Sequence, residues 1–165
     1  MSGLLVFDTE VLSNFALSDA LDVLKTRYGG RGIVTSEVLD EVISGVVAGF
    51  SELRAIDRLV EDGEFRMVVL DRTQRRKFAE LRKSLGTGEA SCIAWAERNK
   101  VSVATDDRLA REVCRQLNIA CTGIIGILVK ASREGQIVLS DGEAILQRMV
   151  SAGFYSPIRR LAEIV

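Results

Sequence analysis

The stretch GTGEASCIAWAERNKVSVATDDRLAR, residues 86–111, reads in order as helix, buried strand and helix, and that order decides the fold class. Residues 88–99 place Cys92, Ile93 and Ala96 on one helical stripe. Residues 101–105 form a short run, apolar on both faces, that suits a strand covered from both sides. A further helix is expected over 107–117. Working outward, the same alternation predicts strands over 4–7, 32–35, 67–70 and 119–122, and helices over 11–27, 36–49, 52–61 and 73–84. Alternation of this kind specifies an α/β fold, with a central parallel five-stranded sheet and helices on both faces joined by right-handed crossovers. Three more helical stretches are expected near 124–134, 140–151 and 157–164, so the reading is a single domain over 1–165 with a helical C-terminal extension from about 140.

Composition agrees with a globular protein: 165 residues, 47% apolar and 27% charged, enough to bury a sizeable core. The N-terminal MSGLLVFDTEVLS has no basic segment, and Asp8 and Glu10 interrupt its apolar run, so it reads as neither signal peptide nor membrane anchor. A cytoplasmic location is expected. Cys92, Cys114 and Cys121 lack metal-type spacing and are odd in number, which argues for small core residues rather than disulfides or a zinc site. The net charge is −1, but with five candidate acids set aside from the 23, 18 remain against 22 Lys and Arg, leaving +4 for the rest of the surface. A weakly basic field around an acidic pocket suits a polyanion, as it would many other enzymes.

Ligands of open parallel sheets collect at the carboxyl ends of the strands, which draws attention to Asp8 after the first strand and to Asp106 and Asp107 after the fourth. Each of these could instead simply cap a helix. Glu89 is a carboxylate on a stripe that should be apolar, and such a group needs a partner, a hydrogen bond or a metal. Alternatively it faces solvent from the first turn, where the helix dipole favours it. Gly86 and Gly88 before it fit a tight turn or a close approach of backbone to ligand. Glu37 and Glu41 lie one turn apart on the same side of their helix, and spacing does not choose between them.

Taken in order, FDTEVLSNFA, VLDEVISG, LGTGEASCIAWA, ATDDRLAR and CTGIIGILVKASREGQI resemble the PIN-domain nucleases, and in particular the single-domain prokaryotic branch that includes VapC-like toxins. The resemblance covers nearly the whole chain. It implies a three-layer α/β/α fold, a cluster of acids binding Mg²⁺ or Mn²⁺, and cleavage of RNA, often as the toxin half of a VapBC-type toxin and antitoxin pair. Matched to the family pattern, the acids are Asp8, Glu41, Glu89 and the pair Asp106 and Asp107, with Glu41 preferred to Glu37 because it fills the Glu of Val-x-x-Glu. Two departures stand out. Glu10 replaces a residue that is uncharged in many members, and the third acid is Glu where related toxins commonly have Asp.

The chain contains no histidine, so hydrolysis at neutral pH needs another way to activate water. Carboxylate oxygens suit hard cations, which can lower the pKa of bound water and neutralise a leaving oxygen. By resemblance the products are a 5′-phosphate and a 3′-hydroxyl. Thr9, Ser13 and Thr105 could orient the ligands or their waters, or in the case of the threonines only cap helices. Arg108 and Arg111 could hold phosphates or form a solvated helix face. The basic run Arg72, Arg75, Arg76, Lys77, Arg82 and Lys83 reads more simply as exposed helix. With nine aromatic residues, and only Phe7 beside a candidate acid, base stacking is not advertised. The family also implies a homodimer and a small antitoxin partner. Two other readings use the same acids: a haloacid-dehalogenase-type phosphohydrolase with Asp8 as nucleophile, and a non-catalytic receiver-like module. The former requires an Asp where Glu10 stands.

Overall fold

The computed structural model describes residues 3–165, so Met1 and Ser2 of the N-terminal stretch read above lie outside the described residues. In chain order the elements are β1 (Leu5–Phe7), α1 (Thr9–Leu17), α2 (Leu21–Tyr28), β2 (Gly32–Thr35), α3 (Ser36–Val47), a short 3-10 helix (Ser51–Leu53) and α4 (Arg54–Glu61). They continue as β3 (Phe65–Val68), α5 (Arg72–Leu81), α6 (Thr87–Asn99), β4 (Ser102–Ala104), α7 (Arg108–Gln116), β5 (Cys121–Thr122), α8 (Ile124–Arg133), α9 (Leu139–Ser151) and a 3-10 turn at Leu161–Glu163. All strand pairs are parallel and the sheet order is β3-β2-β1-β4-β5. The chain builds outward from β1 to β3, then returns through α5 and α6 to the other side of β1. The order therefore reverses between β1 and β4, the place where α/β sheets open a crevice at their carboxyl ends.

Leu5, Val6 and Phe7 are all buried, as a central strand covered on both faces requires, and the fold is the expected α/β/α arrangement. Val6 pairs with Ile33 on one side and Val103 on the other. At the base of the sheet Phe7 stacks on Phe65 with ring centroids 5.2 Å apart and meets the edge of Tyr28 at 5.4 Å. Gly32 makes room for this cluster: a Cβ there would lie 2.5 Å from the Phe65 ring. Cys92 and Cys114 are buried, and the Cys92 thiol donates to the Phe7 carbonyl at 3.4 Å. Among the described residues no helix is long and apolar enough to cross a membrane.

Three sequence expectations are corrected. The helix expected over 11–27 is two helices, because Asp19 takes a positive φ of 51°, a conformation Asp tolerates, and the Ser18 carbonyl accepts a bond from Arg148 Nε at 3.0 Å. The strand expected over 67–70 runs Phe65–Val68 instead. Its register is fixed by Gly32 opposite Phe65, and as an edge strand it leaves Arg66 and Met67 exposed, so the apolar run overshoots the pairing. The helix expected over 157–164 shrinks to the 3-10 turn, since Pro157 lacks an N–H and the Ser156 hydroxyl, not a helical carbonyl, takes the N–H of Ile158.

Because the Gly32 site has no slack against an aromatic ring, Gly32→Ala should destabilise the protein by about 1–3 kcal/mol. Urea unfolding should show this as a lower midpoint with an unchanged slope.

Candidate functional site

Asp8 leaves β1 with its N–H bonded to the Ala104 carbonyl at 3.0 Å, which ties it to the end of β4. It caps α1 through Oδ1, which accepts from the Val11 N–H at 2.8 Å. Capping uses only one oxygen. The side chain is 0% exposed, and Oδ2 has no hydrogen-bond partner. An isolated buried carboxylate oxygen is costly, and the group responds by holding its proton. Burial pushes the Asp8 pKa up to about 7, against the pull of the Thr105 hydroxyl and the Val11 N–H, and with a further push from Glu89 and Glu10. Thr105 is near enough to favour the ionised form, yet it satisfies no hydrogen-bond geometry at Oδ2.

Glu89 stands in the first turn of α6, half-buried rather than turned fully to solvent. Burial raises its pKa, and Asp107, Glu41 and Glu10 raise it further. Glu41 reaches the same place from α3, where its Oε1 accepts from the Thr9 hydroxyl at 2.6 Å. Gly88 permits the approach: a Cβ there would lie 2.3 Å from Glu41 Oε1 and 2.9 Å from Thr9 Oγ1. Glu37 goes elsewhere, accepting from Ser36 and pairing with Arg75 at 3.6 Å. Geometry thus separates two acids that spacing left equivalent.

The Asp106 and Asp107 pair is also divided. Asp107 caps α7 through Oδ2, bonded to the Ala110 N–H at 2.8 Å, and its own N–H donates to Thr105 Oγ1 at 3.2 Å. It is the member of the pair whose charge reaches Glu89. Asp106 turns toward α8, accepting from the Ile124 N–H at 3.0 Å, with bare Gly123 against its Oδ1. Burial raises the Asp106 pKa, while Ile124 and the Arg111 guanidinium lower it. Arg111 itself donates to the Thr105 carbonyl at 2.8 Å.

Sequence reasoning passed over two contributors. Glu10 was not among the candidate site residues, yet its charge bears on both Asp8 and Glu89. Its position two residues after Asp8 was the available signal. Thr35 caps α3 by accepting from the Val38 N–H, and its hydroxyl meets Ser91 Oγ at 2.7 Å, while Ser91 donates to the Gly88 carbonyl at 2.8 Å. That buried link joins the helices carrying Glu41 and Glu89, and nothing in the sequence advertised it. Ser13 lines a cavity with Glu10 and Asp106, and Arg108 lines another with Asp106 and Arg111. The basic run on α5 is a solvated helix face, with Arg75 and Lys77 in surface ion pairs to Glu37 and Glu97.

Among the described residues, no three Asp, Glu or Cys side chains already stand close enough to share one metal ion. The donors nonetheless fit a hard divalent cation in chemistry. They are all oxygens, Asp8 Oδ2 is buried and unpartnered, and neighbouring acids push up the pKa of Asp8 and Glu89. Positive charge at this strand end answers all three conditions.

A family profile described as PIN domain matches residues 4–165. Comparison with curated proteins finds no match. Among solved structures, a chain in the crystal structure of VapBC2 from Rickettsia felis bound to a DNA fragment from their promoter is similar over 73% of this chain and 98% of its own, with 12% identity and a TM-score of 0.53. At that identity the likeness is one of fold.

The folded protein keeps the Asp8 proton up to about pH 7, whereas the unfolded chain releases it near 3.8. Stability is therefore full below the unfolded value and falls as pH rises toward the folded one. In chelator, Asp8→Asn should remove this slope and gain up to about 4 kcal/mol on the wild type above pH 7, a gain that fades toward about pH 4. Thermal unfolding of both proteins across that range checks it, and parallel curves would contradict it.

Proposed function

This chain belongs to the PIN-domain family, and from that premise we propose that it is a metal-dependent endoribonuclease that hydrolyses RNA phosphodiester bonds. The observation that carries the reading is the unpartnered, fully buried Oδ2 of Asp8, with the charge of Glu89 bearing on Asp8 and those of Asp107 and Glu41 on Glu89. Asp8, Glu41, Glu89 and Asp107 would hold Mg²⁺ or Mn²⁺, with Asp106 at the adjoining wall. The bound ion would supply an acidified water and neutralise charge on the leaving oxygen, which removes the need for a histidine base.

The chain's own groups set up that chemistry. The Thr9 hydroxyl orients Glu41, and Thr105 fixes the backbone of Asp107. Val11 and Ala110 each occupy one oxygen of Asp8 and Asp107 and so fix the rotamers of both carboxylates. Arg108 and Arg111, one turn apart on α7, offer cations to the phosphates of a strand. The proposal extends to a cytoplasmic setting, a homodimer and an antitoxin protein as partner, the last of which is supported by the similar fold of a chain in the VapBC2 structure.

Defined single-stranded RNA incubated with Mn²⁺ or Mg²⁺ should be cut to 5′-phosphate and 3′-hydroxyl ends. Asp8→Asn should lose at least about a hundredfold in rate, since even groups behind a ligand are worth 10–100-fold. Cleavage that persists in EDTA would sink the metal mechanism. Thr9→Val should weaken Mn²⁺ affinity about 10–100-fold by releasing Glu41, as measured by calorimetry, with the fold unchanged.

A further inference from the structure

Resting on the nuclease reading above, we propose that Tyr155 is a stacking platform for a base of the bound RNA strand. It lies nearly fifty residues beyond Asp106 and Asp107 in sequence, which is why composition gave no hint of it. The fold brings it back. After α9, Gly153 takes a φ of 110°, a conformation side-chain-bearing residues rarely adopt, and reverses the chain. The Phe154 N–H then donates to the Met149 carbonyl at 2.9 Å, and its ring packs at the margin of the core. With Phe154 held inward, its neighbour Tyr155 stands 88% exposed. The Ser156 hydroxyl donates to the Ile158 carbonyl at 2.6 Å and stiffens the turn that follows.

Two cavities meet at this ring. One, of about 490 Å³, is shared with Glu10, Ser13 and Asp106. The other, of about 570 Å³, is shared with Asp106, Arg111 and Lys130. A third, of about 520 Å³, continues from Asp106 and Arg111 to Arg108 and Arg115. The ring's surroundings therefore combine acids, Glu10 and Asp106, with guanidinium and ammonium groups, Arg111 and Lys130. Single-stranded nucleic acid is recognised by that combination: cations follow the backbone while an exposed aromatic face accepts a base of any identity. A flat ring with a polar tip also suits a surface that is wet when no strand is bound.

The test measures binding of fluorescently labelled single-stranded RNA by anisotropy in an Asp8→Asn background with Mg²⁺, comparing Tyr155, Tyr155→Phe and Tyr155→Ala. Loss of the ring should weaken binding about 5- to 100-fold, and Phe should restore it to within about twofold. An oligonucleotide with abasic positions should bind the Tyr155 protein more weakly, and Tyr155→Ala should weaken it no further. In the cleaving protein the Ala variant should raise KM and leave kcat nearly unchanged. Affinity within about twofold for Tyr155→Ala, or equal losses on intact and abasic RNA, overturns the platform. So does an Ala variant that changes oligomeric state while binding RNA normally, because the ring would then belong to a protein contact. The two readings fail separately. Tyr155-dependent binding without cleavage by the wild type refutes the nuclease and keeps the platform, whereas cleavage at an unchanged KM in Tyr155→Ala does the reverse.

Discussion

The repulsion that Asp8 and Glu89 meet from acids on separate elements is the constraint around which the site is organised. Asp8 and Asp107 arrive at strand ends, Glu41 and Glu89 on helices, and their charges press on one another across the crevice between β1 and β4. The arrangement is held open by contacts that do not themselves carry charge. The Asp8 N–H is pinned to Ala104, the Thr35 and Ser91 hydroxyls fasten α3 to α6, and glycine at position 88 lets Glu41 and Thr9 close in. Beneath them, Phe7, Leu12 and Ile93 are fully buried and supply the opposing stabilisation. Local strain at one place, offset by packing elsewhere, is how functional sites generally persist.

The same crowding couples the site to protons. Burial raises the pKa of Asp8, Glu89 and Asp106, and at Asp8 it does so to about 7, so that carboxyl holds a proton an exposed aspartate would have given up. A cation bound there as proposed would compete with that proton, so its affinity would rise with pH. Asp8 thereby acquires a response near neutrality that is ordinarily associated with histidine.

What could be read in the sequence divides along physical lines. The strand at 32–35 was legible because burial on both faces leaves a short unbroken apolar run. The edge strand was not, because Val69 and Leu70 continue the run past the point where pairing with β2 stops. The break between α1 and α2 was hidden by an apolar period that runs through it, while the contact that stabilises the break comes from Arg148, 130 residues away. In the site, Asp8 was visible as the first acid after its strand, and Asp106 and Asp107 together as the acids that follow theirs. The choice of Glu41 over Glu37 depends on Thr9 and Arg75, which lie on other helices, and the separation of Asp106 from Asp107 depends on the start of α8. Partners of that kind are set by tertiary structure and leave no periodic trace.

The two margins of the sheet also differ in what they allow. On one side β3 turns Phe65 inward and presents Arg66 outward; on the other β5 contributes only two residues, Cys121 and Thr122. A charged rim and a stub are both poor templates for annexing a foreign strand. Both edges thus discourage strand-to-strand association, and the hydrogen-bonding ladder ends within the molecule instead of running on into fibres.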